Sequence, residues 1–440
     1  MPFPFLRRLL SVAAIAAIVV GVTLAAAIRV DRPAAAPETA VTGASGASPA
    51  DPAASIGRLR RHLRDRPGDA GAWSALGLAL VERARTTADP SPYPEAAAAL
   101  RRSLRLRPDG NDAAHTGLAA LAAARHDFAA ALREADRALA VNPYGARALA
   151  VRVDALVELG RYRDAADAAA HADATRPGIP AFTRLAYVHE LLGRPGEARR
   201  VLELAAGSAT APGDIAYVRT QLGELAWNRG DPEAAGREFA AALRAVPDDL
   251  GALDGRARVR AATGDLTGAV RDGEALVARS PLPGRLTWLG ELEESRGRGD
   301  AARRQYAVAA AWGALAQANG VTPDLETALF AADHGDRAAA LRAARAEWGR
   351  RHAVHVADAL AWALHANGED EEALAYARKA TATGYRNASF LYHRGMIQDS
   401  LGRRDGARRD LAAALRLNPH FSPLHAARAR AALERLDGAR

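Results

Sequence analysis

Residues 221–247 read QLGELAWNRGDPEAAGREFAAALRAVP, two helix patterns with the punctuation between them. Gly223 falls where the two helices of a hairpin cross, and a residue without a side chain lets their backbones approach. Gly230 ends the first helix, and Asp231-Pro232 supplies a cap and a first-turn proline for the second. Ala235 and Ala242, seven residues apart, recur on one face of that second helix. Phe239, one turn after Ala235, fills the space the alanines leave. Pro247 cannot continue the ladder and closes the unit.

The same unit recurs along the chain. Its early small residue appears at Ala96, Ala131, Ala165, Ala198, Ala235, Ala269, Ala302, Ala340, Ala373 and Ala407, in steps of 35, 34, 33, 37, 34, 33, 38, 33 and 34 residues. Turn glycines keep phase from Gly160 onward, and closing prolines stand at Pro108, Pro143, Pro177, Pro247, Pro281 and Pro419. The first unit opens on Trp73, Leu76, Gly77 and Leu80, and a longer turn, residues 85–93, separates its helices. The unit around Ala340 lacks both the L-G pair and the proline.

This order and spacing resembles the tetratricopeptide repeat, with L-G in the first helix, A-x3-F in the second and a closing proline. The resemblance covers residues 56–440. It implies an all-α fold, an α-solenoid in which about ten helix–turn–helix repeats form a right-handed superhelix and each touches its neighbours. The expected organisation is a signal peptide or signal-anchor helix at 1–28 and a Pro/Ala/Ser-rich flexible linker at 29–54. The repeat solenoid follows at 55–419, and a capping helix at 420–440 covers the apolar end of the stack.

Composition narrows the function classes. The chain has no cysteine, which removes disulfides, thiolate metal sites and thiol nucleophiles. Its net charge of +8 rests almost wholly on arginine, Lys379 being the only lysine, and the arginines are spread along helices beside acids. No basic patch interleaves with aromatics, so no nucleic-acid partner is expected. Residues 9–28 carry no charge and follow Arg7-Arg8, a length that spans a bilayer. Whether cleaved near Ala25-Ala26-Ala27 or kept as an anchor, this segment places the repeats outside the cytoplasm, at the cell membrane or secreted.

Neither a nucleophile elbow, a P-loop, a dinucleotide fingerprint nor H-E-x-x-H occurs, and neither catalysis nor a cofactor is expected. The stretch richest in chemistry holds His352, His355, Asp358, Trp362 and His365, with His393 and Asp399 in the next repeat. Imidazole and carboxylate together suit borderline divalent metals. His352, His355, Asp358 and His393 are therefore the candidate ligands of an alternative function, an accessory to metal handling or transport. A structural spacer is a third reading.

The family resemblance also implies a concave groove lined by first helices, whose usual partner is a protein. Carried onto this chain by phase, its lining includes the acids Glu82, Asp154, Glu158, Glu190, Glu224, Asp254, Glu291, Glu294, Asp333, Asp358 and Asp399, against Arg147 and Arg258. Tyr187, Tyr217, Trp227, Trp362, Tyr392 and Met396 map to the same face. The sequence thus predicts a non-enzymatic scaffold that takes a partner segment, extended or basic, into an acidic, aromatic-spotted groove.

Overall fold

The computed structural model describes residues 52–87, 89–318 and 325–438. The segment read as a membrane helix lies outside them, and no helix of the described residues is long and apolar enough to cross a membrane. The described residues form helices joined by turns, with no strand among them.

A single helix, α1 (Pro52–Asp65), comes first. It begins inside the stretch read as linker, with Pro52 at its N-terminal end. Ten hairpins follow. Repeats one to four are α2 (Ala70–Thr87) with α3 (Tyr93–Leu106), α4 (Asp112–Ala124) with α5 (Phe128–Val141), α6 (Ala146–Glu158) with α7 (Tyr162–Thr175), and α8 (Ile179–Leu191) with α9 (Pro195–Ser208). Repeats five to seven are α10 (Pro212–Asn228) with α11 (Pro232–Ala245), α12 (Leu250–Ala262) with α13 (Leu266–Arg279), and α14 (Pro283–Ser295) with α15 (Gly299–Ala318). Repeats eight to ten are α16 (Leu325–His334) with α17 (Arg337–Trp348), α18 (Val354–Ala366) with α19 (Asp370–Ala380), and α20 (Ala388–Ser400) with α21 (Arg404–Leu417). The last helix is α22 (His425–Gly438). Helices next to each other in sequence pack together, and first helices also touch those of the next repeat, the pattern of an α-solenoid.

Local chemistry sets the hairpins. Asp127, Asp231, Asp265 and Asp336 each accept the N–H of a residue three further on, capping second helices. The turn before most second helices needs a left-handed residue: Gly230 has φ 74° and Gly193 φ 70°, while in the second repeat His126 (φ 58°) takes that place. Packing within and between repeats is a bulky side chain seated on glycine. A Cβ at Gly223 would come within 2.6 Å of the Phe239 ring, and one at Gly255 of the next repeat within 2.2 Å. Leu100 is held in the same way between Gly77 and Gly117. The L-G signature therefore makes holes for second-helix knobs.

The solenoid also touches itself across about 190 residues. Gly160 lies against the His352 carbonyl, Gly193 against that of Gly384, and Gly230 against that of Leu417. His352 N–H donates to the Glu158 carbonyl (3.0 Å), Val354 N–H to the Tyr162 hydroxyl (2.7 Å), and Asn418 Nδ2 to the Trp227 carbonyl (2.9 Å). One hydrophobic cluster unites Val153, Leu156, Val157, Val188 and Leu191 with Val354, Ala357, Ala380, Tyr385 and Phe390. The turns of repeats three to five thus rest on the loops that join repeats eight to ten and follow them. This seam closes the superhelix.

Candidate partner-binding surface

The seam decides which groove residues remain open. Tyr187 on α8 and Tyr217 on α10 stay exposed, at 40% and 45%. Arg184, one turn before Tyr187 on α8, grips Asp154 of α6 with both its Nε and Nη2 at 2.9 Å, and stands close enough to Tyr217 to act on it electrostatically. Val153, Asp154, Val157, Glu158, Arg184, Tyr187 and Val188 line a cavity of about 100 Å³ at this point.

The acids of the same face differ in what meets them. Glu224 is paired with Arg258 in a short contact, and Asp254 stands 3.8 Å from that guanidinium. Glu158 is reached across the seam by Arg351 at 2.9 Å. Burial still raises the Glu158 carboxyl above its ordinary value, against the pull of Arg351. Glu190 meets no arginine among the described residues; Asn228 Nδ2 donates to it (2.9 Å), and burial together with Glu224 raises its carboxyl. An acid held this way gains from a cation brought by another molecule.

Further along the chain the inner face is filled from within. Residues 418–428 run over the first helices of repeats seven to ten: Ser422 bonds Glu291, His425 stands 3.4 Å from Asp333, and the His425 ring stacks on Tyr392 at 4.8 Å. Glu291, Asp358, Trp362 and Tyr392, all expected to line an open groove, are buried. Asp358 pairs with His393 (2.9 Å), and the Trp362 indole donates to Asp333 (3.0 Å). Trp227 is buried too, with the Arg258 guanidinium over its ring and its carbonyl bonded by Asn418. Glu294 stays exposed and accepts from the Tyr306 hydroxyl (2.8 Å), and Asp399 pairs with Arg435. The segment expected only to cap the stack's end also lines its interior.

The four histidine and aspartate candidates do not share one centre. His352 is exposed, edge-on to Trp348, and its backbone serves the seam. His355 lies between Tyr385 and Phe390, where burial takes its imidazole down to about 4. Only Asp358 and His393 meet. Arg184 and Arg351, which offset the inner acids, carried no signal in the sequence: Arg351 meets Glu158 from 193 residues away.

Residues 388–421, the tenth repeat, match the tetratricopeptide repeat model. No curated protein matches the chain. Among solved structures, pilF of Pseudomonas aeruginosa is 22% identical over 50% of this chain and 94% of its own, with a TM-score of 0.38. TTC0263, a thermophilic TPR protein of Thermus thermophilus, is 23% identical over 43% of this chain and 98% of its own, with a TM-score of 0.37. Human IFIT1, solved as a dimer with m7Gppp-AAAA, is 15% identical over 74% of this chain and 76% of its own, with a TM-score of 0.48.

Proposed function

We propose that the chain is a non-catalytic scaffold for a protein partner, which docks a basic, extended segment on the inner face of repeats three to five. Tyr187 and Tyr217 carry the reading, as large aromatic side chains of first helices that the seam leaves exposed. Aromatics of this kind supply contact area at little entropic cost. Beside them Glu190 supplies charge with no cation against it among the described residues, and Glu224 strengthens the local field. The open portion is shorter than a ten-repeat groove, so the partner segment is short. Residues 9–28 are read as what places the scaffold at the membrane, outside the cytoplasm.

The test is fluorescence anisotropy with short extended Arg/Lys-rich peptides that include an aliphatic residue. Replacing Tyr187 and Tyr217 together by alanine should weaken binding by at least about tenfold. Glu190→Gln should weaken it several-fold and flatten its salt dependence. Equal binding of an acidic peptide of the same length, or affinity unchanged by the double substitution, would refute the reading.

A further inference from the structure

Where residues 418–428 enter the inner face, three side chains from distant parts of the chain converge. Glu291 of α14, Asp333 of α16 and His425 of α22 each present one ligand atom, and these atoms lie within 4.8 Å of one another. Glu291 and His425 are buried, and Asp333 is largely so. Their outer sides are already held. The Ser422 hydroxyl donates to Glu291 Oε2 (3.1 Å), His334 Nε2 stands 3.3 Å from Oε1, and the Trp362 indole donates to Asp333 Oδ1 (3.0 Å).

His425 is fixed and yet unsatisfied. Its backbone N–H donates to Ser422 Oγ (3.0 Å), and its ring lies on Tyr392 with 22° between planes. The side chain is only 8% exposed, and Nε2 has no hydrogen-bond partner among the described residues. The nearby Asp333 Oδ1, at 3.4 Å, is out of line for a hydrogen bond. Leaving a buried polar atom unmade is unfavourable, and this one aims at two carboxylates.

We propose that Glu291, Asp333 and His425 bind one divalent transition-metal ion of the zinc class, which fastens the C-terminal segment to the first helices of repeats seven and eight. One imidazole and two carboxylates suit such an ion, with water in the remaining position. Magnesium and calcium prefer all-oxygen shells and are disfavoured by the imidazole. The two carboxylates balance the ion's charge, and Ser422 and Trp362 serve as the outer contacts that orient carboxylate ligands. Arg428 of α22 bears on the Tyr392 hydroxyl. The site is separate from the peptide surface around Tyr187 and from His352 and His355.

The experiment uses the full chain, freed of metal by chelator and titrated with zinc alone by calorimetry, with cobalt absorption as the coordination probe. One equivalent should bind, with a visible cobalt band of low coordination number and a raised thermal midpoint. His425→Ala and Asp333→Asn should each lower affinity by about a hundredfold, and Ser422→Ala, which keeps all three ligands, by about tenfold. His355→Ala should leave binding as it is. Should His425→Ala not fold, as judged by circular dichroism, Ser422→Ala and Asp333→Asn decide. No stoichiometric binding would overturn the site, as would binding lost in His355→Ala but kept in the Ser422 and Asp333 variants.

Discussion

His355 shows what burial does to a residue that the sequence offers as chemistry. Its spacing from Asp358 fits a metal helix, but the ring lies among Tyr385 and Phe390 at the seam. Burial is the main cause of its lowered pKa, Asp358 pulling the other way and Arg351 adding to the depression, with the result at about 4 against 6.5. The folded value is depressed, so between those limits the unfolded chain binds the extra proton. Stability from this residue is fully present above pH 6.5 and is lost as pH falls toward 4, by on the order of 3 kcal/mol. His355→Phe should remove that part of the pH dependence in urea-unfolding midpoints taken from pH 7 to 4. An unchanged slope in the variant would show that the ring is solvated.

Within the repeats the knob and its holes carry the stability. Phe239 is fully buried, fenced by Gly223 on its own hairpin and Gly255 on the next. Phe239→Ala should cost about 3–5 kcal/mol, through lost burial and the cavity left. Gly255→Ala should cost about 1–3 kcal/mol although alanine is the better helix former by about 1 kcal/mol, because the new Cβ meets a ring with no side to move to. Gly196 on α9 has open space at its Cβ position, and Gly196→Ala should be neutral or raise the thermal midpoint slightly. Equal effects at Gly255 and Gly196 would remove the knob-in-hole reading. This scale was the legible one. A repeat's caps, turn and knob lie within about 34 residues, so the recurring alanines, the turn glycines and the L-G pairs mark the ten hairpins, even the one around Ala340 that lacks the L-G pair and the proline.

At the scale of the molecule, small rotations between neighbouring repeats add up, and the sum is not written in any one of them. Phase placed Tyr187, Tyr217, Glu190 and Glu224 on an inner face, but nothing local said that Arg351 would reach Glu158 or that Ser422 and His425 would occupy the face of repeats seven to ten. Whether an inner residue is open or buried depends on the seam. Trp362 and Tyr392 have the chemistry of recognition anchors and serve as core, whereas Tyr187 and Tyr217 stay exposed. The seam itself depends on backbone approach. A Cβ at Gly230 would stand 2.1 Å from the Leu417 carbonyl oxygen, whereas Gly264, with φ 90°, faces open space.

Closure of the solenoid governs both the proposed peptide surface and the proposed metal site, and a distance across the seam tests it directly. With no native cysteine, the chain accepts two spin labels cleanly, at Arg194→Cys and Arg386→Cys, exposed positions beside the Gly193–Gly384 contact. Pulsed electron resonance should give one short, narrow distance, which Gly230→Ala lengthens and broadens and Gly264→Ala leaves in place. A long, broad distribution in the otherwise unaltered chain would show an open superhelix and contradict closure.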